Sequence, residues 1–291
     1  MLDNLLELFD TVRILPLQLE IEFEDTAPPL SLLRGIWGSA LYQLDRSVYD
    51  LVFHRENARD GSQIPQYVLR YADLGDGGQT TIEWILFGPA IDHLQTLWRA
   101  WDMAGGMGIR RNDQQQPFVV SGCVGLAPGG QRLESPAAWR LSQLAPLWTS
   151  NPVVEPCRVT FHSPLKLDRK DPQSGRDRLL SEPTYQDICK AMAHRMALME
   201  APANRDTWWE LRKHVEEVSG RLPSTSGAWE RNHVWRYSAR QSAPVELHGV
   251  SGWFELPSGA GVVWPLLAAA CWLHIGKSTI IGLGQPVVTS L

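Results

Sequence analysis

From Leu15 to Glu24 the residues alternate without a break: Leu15, Leu17, Leu19, Ile21 and Phe23 in one set, Pro16, Gln18, Glu20, Glu22 and Glu24 in the other. A period of two sends the two sets to opposite faces, so this stretch is a half-buried strand. What covers its apolar face follows directly. After Asp25-Thr26-Ala27-Pro28-Pro29, residues Leu33, Ile36, Trp37, Ala40, Leu41 and Leu44 recur at three and four, the spacing of an amphipathic helix that ends near Leu44. Residues 46–62 read as a helix end and loop, since the apolar cluster Val48 to Phe53 gives way to the charged run His54 to Asp60. Two strand-like segments, Gln66 to Tyr71 and Thr80 to Phe87, flank a Gly-Asp-Gly-Gly turn at 75–78, which is hairpin chemistry. Pro89 then starts a helix to about Met103, Gly105-Gly106-Met107-Gly108 ends it, and Pro117 to Leu126 is a fourth strand. The order is βαββαβ.

The same order returns later in the chain. Residues 128–152 are rich in Gly, Pro and Ser and read as a connection. Val153 to Leu167 is strand-like, Tyr185 to Glu200 and Arg205 to Val218 are helical, and Val234 to Gln241 and Pro244 to Leu256 are strands. An apolar helix from Trp264 to His274 and a short strand from Gln285 to Thr289 complete the pattern, which carries one extra helix. Two tandem ferredoxin-like domains with antiparallel sheets are the simplest α+β fold that satisfies both halves. The expected boundaries are 1–127 for the first, 128–152 for the linker and 153–291 for the second. A glycine-containing loop, Gly276 to Gly284, joins the last helix to the last strand.

With 44% hydrophobic and 20% charged residues, the 291-residue chain has a globular composition. Its net charge of −5 argues against a partner held by charge alone, but the acidity is local. Residues 1–157 hold 11 basic and 19 acidic side chains, whereas residues 158–240 hold 15 basic and 11 acidic ones. The middle therefore offers a basic face, with Arg158, Lys166, Arg169, Lys170, Arg176, Arg178, Arg236 and Arg240. Thirteen tryptophans are more than such a chain needs. Core packing is their simpler account, and base stacking by Trp208-Trp209 and Trp229 to Trp235 is the functional one.

Cys123, Cys157, Cys189 and Cys271 form no CxxC pair and read as reduced core thiols. The acidic N-terminus lacks the marks of a signal peptide, and the longest apolar run, Gly261 to Gly276, is interrupted by Pro265 and too short to span a bilayer. A cytoplasmic protein without a membrane segment is expected.

Three motifs fall short of familiar chemistry. Gly276-Lys277-Ser278 looks like the end of a phosphate-binding P-loop, but Cys271 stands where that loop needs its first glycine, and a helix precedes it. Glu210 and His214 lie one helical turn apart with no second histidine, so a solvated helix face accounts for them better than a metal site. Gly249-Val250-Ser251-Gly252-Trp253 lacks the last glycine of a nucleophile elbow. His162 and His248 sit on strands and read as structural histidines.

Several segments form a different, ordered set. These are Arg34-Gly35-Ile36-Trp37-Gly38 on the first helix, Val159 to Leu167 on the strand opening the second half, and Leu273-His274-Ile275-Gly276-Lys277-Ser278-Thr279-Ile280-Ile281-Gly282-Leu283-Gly284 at the glycine loop. The hairpin segments Tyr237-Ser238-Ala239-Arg240-Gln241 and Gly249-Val250-Ser251-Gly252 precede that loop. Together they resemble the CRISPR repeat-processing endoribonucleases, the precursor-RNA-cleaving branch of the repeat-associated mysterious protein (RAMP) superfamily. The resemblance spans Arg34 to Gly284, and the glycine loop is its most specific part.

It implies metal-independent cleavage of CRISPR repeat RNA with no cofactor. A ribose 2′-hydroxyl attacks the adjacent phosphate, leaving a 2′,3′-cyclic phosphate and a 5′-hydroxyl. The enzyme often stays on the product, beside other subunits of a CRISPR interference complex. Such chemistry needs a base, an acid and a cation for the phosphorane charge. The resemblance points to His54, Arg34, Tyr42 and Arg46 for these roles, with Arg55 and Arg59 nearby. A site built on Arg34, Arg46 and Arg240 without a histidine is the alternative. For RNA binding it points to Lys166, Arg236, Arg240, His274, Gly276, Lys277, Ser278 and Thr279. A non-catalytic RAMP subunit that holds the RNA handle as a scaffold is also compatible with these motifs.

Overall fold

The computed structural model describes residues 2–53, 64–73, 79–111, 114–170, 174–199, 202–238 and 243–291. His54, Arg55, Arg59, Arg240 and the expected turn at 75–78 lie outside the described residues. The chain divides into two compact units: Val12–Arg140 with Ile280–Gly282, and Met1–Thr11 with Leu141–Thr279 and Leu283–Leu291. We call them the N-terminal and C-terminal units. Among the described residues no helix is long and apolar enough to cross a membrane.

The first helix, α1 (Leu2–Thr11), belongs to the C-terminal unit. Leu5, Leu8 and Phe9 recur at three and four and are buried, and Phe9 packs on Trp208 with ring centres 5.8 Å apart.

In the N-terminal unit β1 (Arg13–Phe23) lies between β3 (Gln79–Phe87) and β6 (Phe118–Leu126), antiparallel to both, with β2 (Tyr67–Asp73) outside β3. Helices α2 (Leu30–Leu44), α3 (Arg46–Phe53) and α4 (Leu94–Met107) contribute to the core on the face that Leu15, Leu17, Leu19 and Ile21 present. A short ribbon, β4 (Ile109–Arg111) with β5 (Gln114–Gln116), precedes β6, and the two-residue strands β7 (Arg132–Leu133) and β8 (Trp139–Arg140) add to β6 and β1. Trp37 stacks on Trp101 at 5.2 Å and 9°, and Trp84 meets Trp37 edge-on at 5.5 Å. All three are fully buried, so much of the tryptophan excess is core.

Residues 46–53 are a helix rather than a loop. Asp45 breaks α2 with an extended backbone and then caps α3: its Oδ1 accepts hydrogen bonds from the Val48 amide at 3.1 Å and the Ser47 hydroxyl at 2.7 Å. Those bonds hold the carboxyl below its usual pKa. The following helix also outlasts its expected end. Gly105 lies inside the helix, where a Cβ would come 2.4 Å from the Phe118 carbonyl oxygen, so it is there for close packing; only Gly108, at φ +67°, turns the chain out.

The C-terminal unit repeats the plan. Strands β12 (Thr225–Ser238), β13 (Ala243–Leu256), β9 (Cys157–Leu165) and β14 (Pro286–Ser290) stand side by side in that order, all antiparallel. This is the order of β2, β3, β1 and β6, so both units are ferredoxin-like, as the periodicities require. Helices α5 (Tyr185–Met199), α6 (Pro202–Gly220) and α7 (Trp264–Leu273) complete it, with a ribbon of β10 (Asp168–Lys170) and β11 (Asp177–Leu179) after β9. Strand β12 begins nine residues before the expected Val234. Its start is disguised by a bulge between Ser226 and Trp229, where Gly227 leaves room for the Trp253 ring, 2.3 Å from where a Cβ would stand.

Candidate functional site

In the N-terminal unit, three of the expected catalytic residues share one run of side chains. Arg34, on α2, donates from Nε to the Tyr67 hydroxyl at 2.7 Å and lies over the Phe53 ring at 5.1 Å. Tyr67 is fully buried, and burial pushes its phenol up to about 12 against the opposing pull of Arg34. Phe53 stacks on Tyr49, one turn earlier in α3, at 4.9 Å and 10°, and Tyr49 meets Tyr42 edge-on at 5.2 Å. Arg46 lies over the Tyr42 ring at 5.5 Å, with its Nε 3.9 Å from Asp50 Oδ2.

The result is a strip in the order Arg46, Tyr42, Tyr49, Phe53, Arg34, open at the Tyr42 end, where Tyr42 is 46% exposed. His54 follows Phe53 directly in the chain. Guanidinium groups bind phosphate oxygens and aromatic faces stack bases, so the exposed end of the strip, Tyr42 and Arg46, has the chemistry of a nucleic-acid contact, while Phe53 is buried in the core. Tyr49 and Phe53 were not among the expected site residues, although their four-residue spacing in an apolar cluster is visible in the sequence.

In the C-terminal unit the glycine loop is pinned to the end of β9. The Lys277 amide donates to the Lys166 carbonyl at 3.0 Å, the Gly284 amide to Pro164 at 3.1 Å, and the Ile275 amide to the Gly284 carbonyl at 2.9 Å. The Gln285 amide adds a bond to Ser163 Oγ at 2.9 Å. Gly276 sits at φ +83°, where a Cβ would come within 2.4 Å of the Lys166 carbonyl oxygen, and Ser278 adopts φ +65° without being glycine.

His274 is fully buried, ends α7 at φ 59°, and donates from Nδ1 to the Leu283 carbonyl at 3.1 Å. It shapes the loop from inside and offers no surface to a ligand. Thr279 is buried as well, at 4% exposure, whereas Gly276 and Ser278 are half-buried.

Lys277 is half exposed, but its ammonium is held by Asp168 Oδ2 at 2.7 Å and lies 3.6 Å from Asp177 Oδ2. The hydrogen bond it donates to Asp168 raises its pKa, so it is charged at neutral pH and already compensated. A phosphate reaching it competes with two carboxylates. Both belong to the β10–β11 ribbon, in which Arg169 faces Arg178 and Lys170 faces Asp177. Arg169 pairs with Asp187 at 2.6 Å, while Lys170, Arg176 and Arg178 stand exposed beside the loop's lysine. Lys166 contributes its carbonyl to the loop. Arg236 lies on the edge strand β12, its backbone opposite Val245 and two strands from β9. The structure thus gathers Lys166 and Gly276 to Thr279 in one place and leaves Arg236 apart from them.

Residues 159–286 match the family described as CRISPR-associated endoribonuclease Cas6. Among solved structures, a Cas6 product complex shares 15% identity at a TM-score of 0.63, covering 96% of this chain and 99% of its own. The Cas6 of Thermus thermophilus shares 14% at 0.56, covering 95% and 98%. A partial Cas6-RT-Cas1–Cas2 complex shares 13% at 0.57, covering 96% of this chain but 46% of its own. No match was found among curated proteins. The resemblance to the CRISPR repeat-processing endoribonucleases holds in sequence over residues 159–286 and in fold over nearly the whole chain.

Proposed function

We propose that this chain, whose residues 159–286 carry the Cas6 pattern, cleaves CRISPR precursor RNA within the repeat and remains on the mature guide RNA. The observation that carries the catalytic part is the strip that brings Arg34, Tyr42 and Arg46 together and ends one residue before His54.

In this mechanism a base takes the proton of a ribose 2′-hydroxyl, and the oxygen attacks the adjacent phosphorus. The bond to the 5′-oxygen then breaks, that oxygen receives a proton from an acid, and a 2′,3′-cyclic phosphate and a 5′-hydroxyl remain. His54 serves one of the two proton transfers, since imidazole exchanges protons near neutral pH. Arg34, its guanidinium fixed through Nε by Tyr67, supplies its Nη pair to the phosphorane oxygens, and a charge placed in advance costs no reorganisation in the reaction. Arg46 adds a second cation and Tyr42 a face for a neighbouring base. None of these steps calls for a metal ion.

The C-terminal unit holds the RNA through the glycine loop, Lys277 and the exposed cations of the β10–β11 ribbon. Other subunits of a CRISPR interference complex are its partners, and the cytoplasm is where its substrate is made. Incubation with the repeat RNA of its own locus in EDTA tests this reading. A single cut with a 2′,3′-cyclic phosphate end is expected. Cleavage only on addition of metal overturns the mechanism, and RNA that is bound but never cut makes the chain a non-catalytic RAMP subunit.

A further inference from the structure

On the β12–β13 hairpin, His233 and His248 stand directly opposite each other, and Glu246 lies two residues before His248 on β13. The period of a strand puts Glu246 and His248 on one face, and the buried Leu247 between them marks the other. A directly opposite partner is the nearest cross-strand neighbour, which brings His233 to the same spot. His233 Nδ1 contacts Glu246 Oε1, His248 Nε2 lies 3.3 Å from Glu246 Oε2, and the imidazole ring centres are 5.0 Å apart. One nitrogen of each histidine and a carboxylate oxygen lie within 4.8 Å of one another.

Two features go beyond a surface hydrogen bond. The cluster gathers two imidazoles and one carboxylate, ligand types found together in catalytic zinc sites. One of the separations also fits, while the closer His233–Glu246 pair has to open to admit an ion. Zinc ligands at about 2.0–2.1 Å in a tetrahedron lie roughly 3.3 Å from each other, which is the His248–Glu246 distance. The two imidazoles suit zinc and its neighbours in the first transition row better than magnesium, which prefers oxygen ligands.

We propose that His233, Glu246 and His248 bind a divalent ion of the zinc class, tying β12 to β13 and leaving a coordination position open to water or a phosphate oxygen. On binding, each neutral imidazole carries its proton on its other nitrogen, so the ligand nitrogens face the metal unprotonated. This site is separate from the residues to which cleavage is assigned, and its test uses no RNA, so its outcome does not depend on the proposed activity.

Titration of the full chain with Zn²⁺, after removal of metal by chelation, is expected to show one saturable equivalent that millimolar Mg²⁺ does not displace, and Co²⁺ is expected to give the visible absorption of a low-coordinate nitrogen–oxygen site. Loss of an outer partner already costs about 10–100-fold in metal affinity, so Glu246→Gln and the His233→Ala/His248→Ala double variant are expected to lose at least that much. The half-exposed side chains make both variants foldable, which circular dichroism checks, and Glu246→Gln keeps the shape should the double variant fail. Absence of saturable Zn²⁺ binding, or wild-type affinity in either folded variant, overturns the proposal.

Discussion

Replacing His54 by alanine is expected to slow cleavage of repeat RNA by about 10²–10⁴-fold, the usual contribution of a positioned proton-transfer group, while affinity for the uncut RNA changes by no more than about twofold, since one side chain among many contacts is lost. The expectation rests on the strip that leads to this position. Arg34 is fixed on Tyr67 and Phe53, Phe53 is stacked on Tyr49, and the chain passes from Phe53 directly to His54. Single-turnover kinetics are the right measurement, because an enzyme that keeps its product hides the chemical step under multiple turnover. A variant that cuts at the wild-type rate removes His54 from the mechanism and transfers the work to the arginines.

The second large effect is one of stability. Gly284 sits at φ +71°, and a Cβ there would stand 1.9 Å from the Ile275 carbonyl oxygen, the same oxygen-bearing residue whose amide bonds to Gly284. Gly284→Ala therefore combines a left-handed backbone penalty with forced backbone movement, and a loss of roughly 2–5 kcal/mol is expected. Gly130→Ala is the control: φ is +81°, but nothing lies within 4 Å of the added methyl, so only the backbone part, about 1–2 kcal/mol, remains. Urea unfolding of both variants separates the two contributions. Equal losses would mean that the loop yields freely despite its hydrogen bonds to the end of β9. Because Gly284 closes the loop on Ile275 and Pro164, RNA affinity is expected to fall in its variant and not in Gly130→Ala.

Both ferredoxin-like units were legible because their strands and helices announce themselves by period. The alternation at Leu15 to Glu24 and the three-and-four spacing at Leu33 to Leu44 each allow one element, and their repeated order allows one topology. What escaped depends on single residues or on distance. Helix α3 turns on one capping carboxylate at Asp45, and β12 hides its first turn of alternation behind a bulge at Gly227.

In the candidate site, Arg34, Tyr42 and Arg46 were named from the resemblance, but Tyr67, 33 residues from Arg34, enters only through the fold. The pairing of Lys277 with Asp168 and Asp177 spans about a hundred residues and carries no local signal, which is why a compensated lysine reads in the sequence as an open one. His233, Glu246 and His248 come together only once the hairpin register is fixed. The regional charge gains detail in the same way. In the basic middle of the chain Arg158, Arg169, Lys190 and Arg221 are paired with carboxylates, while Lys170, Arg176 and Arg178 stand exposed at the β10–β11 ribbon.

The claim at the centre is that the RNA's own 2′-hydroxyl is the nucleophile, set in motion by side chains of the N-terminal unit. Repeat RNA carrying a single 2′-deoxy nucleotide on the 5′ side of the scissile phosphate tests it most directly. Binding equal to that of the unmodified repeat, with no cut at that phosphate in EDTA or in magnesium, is the predicted result. Cleavage of the deoxy substrate at that position would contradict it, since the attacking oxygen would then have come from water.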